Sequence, residues 1–131
     1  MKKVLVTGGS GFVGSRFLHR WQGEYEILAP RHSELDITDA DAVAAYLAMH
    51  RPDVLLHIAA IADTGYCQEH PQESYLVNTL ATVHLAQAAR MTGAKFVFFS
   101  SDQVYNGTTL SGLLPEDAPL SPQNHYACHK L

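Results

Sequence analysis

Cysteine is scarce in this chain of 131 residues: Cys67 and Cys128 are the only two, far apart. That is too few for a disulfide-stapled secreted domain. No signal-peptide pattern stands at the N-terminus, so the expected compartment is the cytoplasm. No apolar run approaches the ~20 residues a membrane-spanning helix needs. Basic residues form no cluster, and 9 Lys+Arg against 13 Asp+Glu give a formal charge of −4, which argues against nucleic acid or a membrane surface as partner. A Gly-Lys-Ser/Thr phosphate loop is missing, as are internal repeats, low-complexity tracts and linkers. Eight histidines are present, but His125, Cys128 and His129 lack zinc-ligand spacing, and no metal site is expected. What is there is an ordinary globular composition, 47% hydrophobic and 17% charged, long enough to bury one core without staples.

Short apolar runs alternate with helical patterns. Lys3-Val4-Leu5-Val6-Thr7 is β-branched and lacks polar alternation, as buried parallel strands do. Val13, Phe17, Leu18 and Trp21 then recur at helical spacing over 12–21. Strands are predicted at 26–29, 54–58 and 95–100, with a very short one at 34–37. Thr38 is the predicted N-cap of a helix carrying Val43, Tyr46 and Leu47 on one face. A longer helix follows Pro71 and stops at Gly93. Residues 106–124 are rich in Gly and Pro and read as loop, and a last helix is expected from about Pro122. Strands alternating with helices imply βαβ units, hence one α/β domain with a parallel sheet.

Gly8-Gly9-Ser10-Gly11-Phe12-Val13-Gly14 follows the first strand and opens the first helix. In such a loop the first glycine permits the tight turn. Gly11 lets the backbone approach a pyrophosphate, and Gly14 allows close packing of helix on strand. The helix N-terminus offers free N–H groups to the phosphates. The pattern therefore predicts dinucleotide binding. The end of the second strand separates NAD from NADP, because a carboxylate there accepts from the ribose hydroxyls whereas arginine pairs with a 2′-phosphate. Here the sequence is Pro30-Arg31-His32, with no carboxylate before Glu34. Arg31 thus favours NADP(H) over NAD(H).

Tyr126 and Lys130 lie four residues apart, on one face of the last predicted helix. A free phenol titrates near pH 10 and transfers protons poorly at neutrality, and a lysine cation one turn away favours the phenolate. Tyr126 is then a candidate proton donor to a carbonyl oxygen that receives hydride at carbon. Ser101, at the carboxyl end of the 95–100 strand where α/β ligands sit, is placed to hold that oxygen.

Thr7-Gly8-Gly9-Ser10-Gly11-Phe12-Val13-Gly14, His57-Ile58-Ala59-Ala60, Ser100-Ser101-Asp102 and Tyr126-x-x-x-Lys130 together resemble the extended short-chain dehydrogenase/reductases (the NAD-dependent epimerase/dehydratase superfamily). Glu34-Leu35-Asp36-Ile37-Thr38-Asp39, Cys67-Gln68-Glu69-His70-Pro71, Val77-Asn78 and Gln103-Val104-Tyr105-Asn106-Gly107 narrow the resemblance to the dTDP-4-dehydrorhamnose reductase branch. The stretch Pro115-Glu116-Asp117 with Pro119, leading to Tyr126, fits too. The resemblance runs through essentially the whole chain. It implies a Rossmann-like, doubly wound parallel sheet and hydride transfer from NAD(P)H to the 4-keto group of a nucleotide-linked deoxysugar. Ser101, Tyr126 and Lys130 would be the catalytic trio. Gly8, Ser10, Gly11, Phe12, Val13, Gly14 and Arg31 would line the cofactor, with Asp36 and Ile37 along the adenine, Ala59 and Ala60 beside ribose and pyrophosphate, and Tyr126 and Lys130 at the nicotinamide end.

The sequence departs from that branch at Pro30, where an acidic residue is common, at Asn106, where Asp is common, and at Gly65-Tyr66, where an Asp-Lys or Asp-Arg pair is usual. These departures leave the sugar less defined than the chemistry. A nucleotide-sugar epimerase or dehydratase, with Asp102 beside Ser101, and a non-catalytic NADP-binding subunit are the alternatives. A homo-oligomer is left open. His57, Trp21, Phe96, Phe98 and Phe99 are expected in core and sheet faces, and Cys67 as an unreactive buried thiol. Family members continue beyond the Tyr-x-x-x-Lys helix, so residues 1–131 are expected to be an incomplete NAD(P)-binding domain, part of a longer protein and inactive alone.

Overall fold

A computed structural model describes all residues from Met1 to Leu131. Four strands, β1 (Lys3–Thr7), β2 (Glu26–Leu28), β3 (Val54–His57) and β4 (Lys95–Phe98), form one sheet in the order β2-β1-β3-β4. Every pairing is parallel, with Leu5 opposite both Leu28 and Leu55, and Leu55 opposite Phe96. Alternation along the strands divides the core between the two faces. Leu5 and Leu55 join Val43, Leu47, Leu85 and Ala89 beneath α2 (Ala40–His50) and α5 (Ala81–Thr92). Val4, Val6 and Leu56 face Phe17 and Leu18 of α1 (Phe12–Trp21) on the opposite side. Helices on both faces make the sheet doubly wound and Rossmann-like, and the strand order reverses direction at β1. A crevice therefore opens at the carboxyl ends of β1 and β3.

The structure corrects several expected boundaries. Residues 34–37 are not a strand. The chain turns there, with the N–H groups of Glu34 and Leu35 donating to the Arg31 carbonyl. Thr38 is not the N-cap of α2, because its hydroxyl donates to Asp36 Oδ1 at 2.6 Å, whereas the Asp39 carboxylate accepts from Ala42 N–H at 3.0 Å. An unexpected helix α3 (Thr64–Glu69) starts where Asp63 accepts from Tyr66 N–H at 2.8 Å. The helix after Pro71 divides into α4 (Pro71–Tyr75), a π-helical turn (Leu76–Leu80) and α5, which Gly93 ends with φ +77°. The last helix, α6 (His125–His129), begins after Asn124, whose side chain caps Ala127 N–H at 2.8 Å. Strands β2, β3 and β4 are shorter than predicted, so Ile58 and Ser100 lie on the loops beyond the sheet.

Candidate cofactor and active site

The glycine loop is shaped by its own backbone. Gly8 has φ +77°, and a Cβ there would lie 2.7 Å from Ala59 N, so the β1 turn and the loop after β3 touch through bare backbone. A Cβ on Gly14 would run into the Gly8 carbonyl. Gly14 thus brings α1 against the loop backbone itself, rather than against the strand. Gly11 is the N-cap of α1, and no side chain caps that end. The first-turn N–H groups accordingly point outward with the positive end of the helix dipole.

Two cavities meet over this loop. The smaller, about 140 Å³, runs from Gly8, Gly9 and Ser10 to Pro30, Arg31, His32, Leu35 and Ile37. The larger, about 470 Å³, lies within the ~300–1,000 Å³ of small-molecule sites. It runs from Ser10–Val13 past Ala60 and Ala62 to Phe99, Ser100, Tyr126 and Lys130. Gly8, Ser10 and Ala59 line both, so the two form one groove across the carboxyl ends of the strands. Although the chain is acidic overall, no carboxylate lines either cavity, and Arg31, His32 and Lys130 are their ionisable cations.

Tyr126 and Lys130 reach the groove because α6 is fastened on several sides. Ser100 Oγ donates to the Lys130 carbonyl at 2.6 Å, and Thr79 Oγ1 donates to the His129 carbonyl at 3.1 Å. Ser74 Oγ lies 2.8 Å from His129 Nδ1, and Asn124 donates to Gln103 at 3.1 Å. Both residues are buried, yet neither the Tyr126 hydroxyl nor the Lys130 ammonium has a hydrogen-bond or carboxylate partner within the chain. The Lys130 ammonium instead sits 4.4 Å above the Phe98 ring, and burial pushes its pKa below that of a free lysine.

Of the residues expected at the site, Gly8, Ser10, Gly11, Phe12, Val13, Arg31, Ile37, Ala59, Ala60, Tyr126 and Lys130 line the groove, and Gly14 supports it from behind. Two lie outside the lining. Asp36 turns toward Thr38, accepting from its N–H at 2.9 Å and from its hydroxyl, and these bonds hold its carboxyl below the usual range. Ser101 accepts from Gln103 N–H at 3.2 Å and caps the 3-10 turn Asp102–Tyr105. Sequence reasoning missed Ser100, which faces the groove and fixes Lys130, together with His32 and Leu35. The Ser-Ser pair at a strand end is the available signal for Ser100, and Leu35 lies in the Glu34–Asp39 stretch that carries the family resemblance.

A parallel doubly wound sheet with a glycine turn at its reversal point is the architecture of dinucleotide-binding proteins. The chain belongs to the NAD dependent epimerase/dehydratase family, whose sequence pattern matches residues 4–131. It is 38% identical to a dTDP-4-dehydrorhamnose reductase of Streptomyces griseus, over 96% of this chain and 41% of that protein. It is 30% identical to methionine adenosyltransferase 2 subunit beta of Xenopus tropicalis, over 99% of this chain and 41% of that protein. Among solved structures, a dTDP-4-dehydrorhamnose reductase from Clostridium acetobutylicum superposes with TM-score 0.94 at 29% identity, covering 98% of this chain and 46% of that one. Another, from Bacillus anthracis and determined with NADP, gives 0.92 at 28% identity, with the same coverage. The chain thus spans less than half the length of these proteins.

Proposed function

We propose that this chain is the cofactor-binding part of an NADPH-dependent reductase acting on the 4-keto group of a nucleotide-linked deoxysugar, working in the cytoplasm. The observation that carries the reading is the groove: a glycine turn too tight for a Cβ, cationic side chains at both ends, and Tyr126 and Lys130 with unengaged polar atoms at one end. These features fit a pyridine dinucleotide. The bound nicotinamide supplies hydride. The α1 N-terminus and the Ser10–Val13 backbone would take the pyrophosphate, Ile37 and Leu35 would border the adenine, and Arg31 would pair with a 2′-phosphate. Lys130 would donate to the nicotinamide ribose and Tyr126 would give a proton from its hydroxyl to the substrate oxygen, which Ser101 would orient only on leaving its cap on Gln103 N–H. Asp36 would act only by holding the turn that carries Ile37, through its bonds from Thr38 N–H and hydroxyl.

The test joins this chain to the carboxyl-terminal half of a reductase relative and follows NADPH consumption with a nucleotide-linked 4-keto-6-deoxysugar. Turnover that Tyr126→Phe abolishes while cofactor affinity stays within about twofold supports the reading. Turnover that survives the substitution overturns the proton-donor role. A second reading, a non-catalytic NADP-binding subunit, is favoured by the similarity to the methionine adenosyltransferase subunit. It predicts cofactor binding without turnover in the same fusion. A dehydratase reading draws no support from Asp102, whose side chain is exposed and outside the groove.

A further inference from the structure

His57 is buried at the end of β3 and makes hydrogen bonds through both ring nitrogens. Nδ1 lies 2.6 Å from Thr7 Oγ1, and Nε2 lies 2.9 Å from Thr82 Oγ1. The neighbours fix the direction of each bond. The Thr82 hydroxyl donates to the Asn78 carbonyl at 2.8 Å, so its oxygen accepts from the imidazole and Nε2 carries the hydrogen. In the neutral ring Nδ1 is then bare and accepts from the Thr7 hydroxyl. Thr7 Oγ1 in turn accepts from Ala59 N–H at 3.3 Å. From Asn78 the connection returns to the same loop, because its side-chain amide accepts from Ile61 N–H at 2.8 Å and donates to the Ile61 carbonyl at 3.0 Å.

We infer that His57 is a positioning residue for the cofactor groove: a ring of directed hydrogen bonds, closed covalently through Asn78 and the 59–61 backbone, passes through its neutral, Nε2-protonated imidazole and sets the backbone of residues 59–61. The ring runs from Ala59 through Thr7, His57, Thr82 and Asn78 back to Ile61, and Ala59, with Gly8 and Ser10, lines both cavities. Asn78 lies buried in the π-helical turn Leu76–Leu80, a local widening of the kind often found at functional sites. Phe96 and Phe98 flank the imidazole at 6.1 and 5.9 Å between centroids, and Phe98 carries the Lys130 ammonium on its ring. A neutral His57 leaves Lys130 as the one cation at that end of the groove. The ring's role in binding rests on the dinucleotide reading given above, whereas its hydrogen-bond directions do not.

The test uses the 131-residue chain. Nitrogen NMR of the His57 imidazole is expected to show protonation at Nε2 and a bare Nδ1. Thr7→Val keeps the shape of the side chain and removes the hydroxyl, while Thr7→Ser does the reverse. Thr7→Val is expected to raise the Kd for NADPH on the order of tenfold and to speed exchange of the Ala59 amide hydrogen, with Thr7→Ser close to the wild type. A purely packing role for Thr7 predicts the opposite order. An Nδ1-protonated ring, or a Thr7→Val chain that binds NADPH and protects Ala59 as the wild type does, would overturn the inference. If the wild type binds no NADPH, the dinucleotide reading falls, and the tautomer and amide exchange still decide whether the ring exists.

Discussion

The Lys130 ammonium faces the Phe98 ring from 4.4 Å and has no carboxylate against it. A buried cation without a counter-charge is costly to the folded state and useful only if something else completes it. Lys130→Met keeps the apolar stem and removes the charge. The expected outcome is a Tm unchanged or raised by a few degrees, together with a Kd for NADPH weakened by about tenfold. Thermal melts and cofactor titration of the same preparation check both. A lowered Tm with unchanged affinity would make Lys130 a structural residue.

Burial, with Lys130 nearby, lowers the His57 pKa from 6.5 to about 4. Above pH 6.5 both folded and unfolded chains hold the ring neutral, and its contribution is fully present. Between pH 6.5 and 4 the unfolded chain takes up the proton and the folded chain does not, so stability falls as pH falls. At about 1.4 kcal/mol per unit, the loss approaches about 3 kcal/mol at pH 4. Burial also lowers the pKa of His129, which adds in the same direction over this range, whereas the Asp36 carboxyl, held low by hydrogen bonds from Thr38, loses its contribution only below the ordinary carboxylate range. Urea unfolding at pH 7 and pH 4.5 measures the slope, and His57→Asn should flatten it. An equal slope in that variant would contradict the assignment.

Gly8→Ala places a methyl 2.7 Å from Ala59 N on a backbone with φ +77°. Left-handed backbone costs an L-residue about 1–2 kcal/mol, and overpacking adds about 1–3. The substitution should lower stability by at least about 2 kcal/mol and abolish measurable cofactor binding. Gly23→Ala, also at positive φ but with open space around the added methyl, should cost only the backbone part and leave binding intact. Chemical unfolding of the two variants side by side separates strain from steric closure of the groove.

Arg31 borders the smaller cavity with no carboxylate in ion-pair contact with its guanidinium, the Glu34 carboxylate accepting from Arg31 N–H at 2.7 Å, whereas the neighbouring His32 Nε2 lies 4.0 Å from Asp36 Oδ1. Arg31→Asp should therefore weaken NADPH by about a hundredfold and leave NADH within about threefold, as loss of a charge-assisted pair plus repulsion predicts. Equal effects on both cofactors would place Arg31 away from the 2′-phosphate.

Much of this architecture is legible in the residues. Val4–Val6 and Leu55–Leu56 announce buried parallel strands, and Gly8 and Gly14 announce the turn and the close packing of α1. What escapes is set by side-chain competition within a few residues. Thr38 looks like an N-cap, but its hydroxyl is committed to Asp36, which passes the cap to Asp39. The 3.6-residue pattern after Pro71 does not reveal the π-helical turn, nor that Asn78 within it bonds Ile61, 17 positions away. His57 reads as packing in the sequence, since both of its partners, Thr7 and Thr82, come from distant elements. Asp36 and Ser101, drawn from the family pattern, are engaged in local turns here and stand outside the groove lining.

The central claim is that the groove between Arg31 and Lys130 holds NADP(H). Its most direct test is an amide NMR titration of the chain with NADP+, NADPH and NADH. Saturable shifts are expected, centred on Gly8–Gly14, Arg31, Ala59–Ala60 and Tyr126–Lys130, with NADP(H) at least about tenfold tighter than NADH. No saturable shifts, or shifts confined to another face of the sheet, would contradict it.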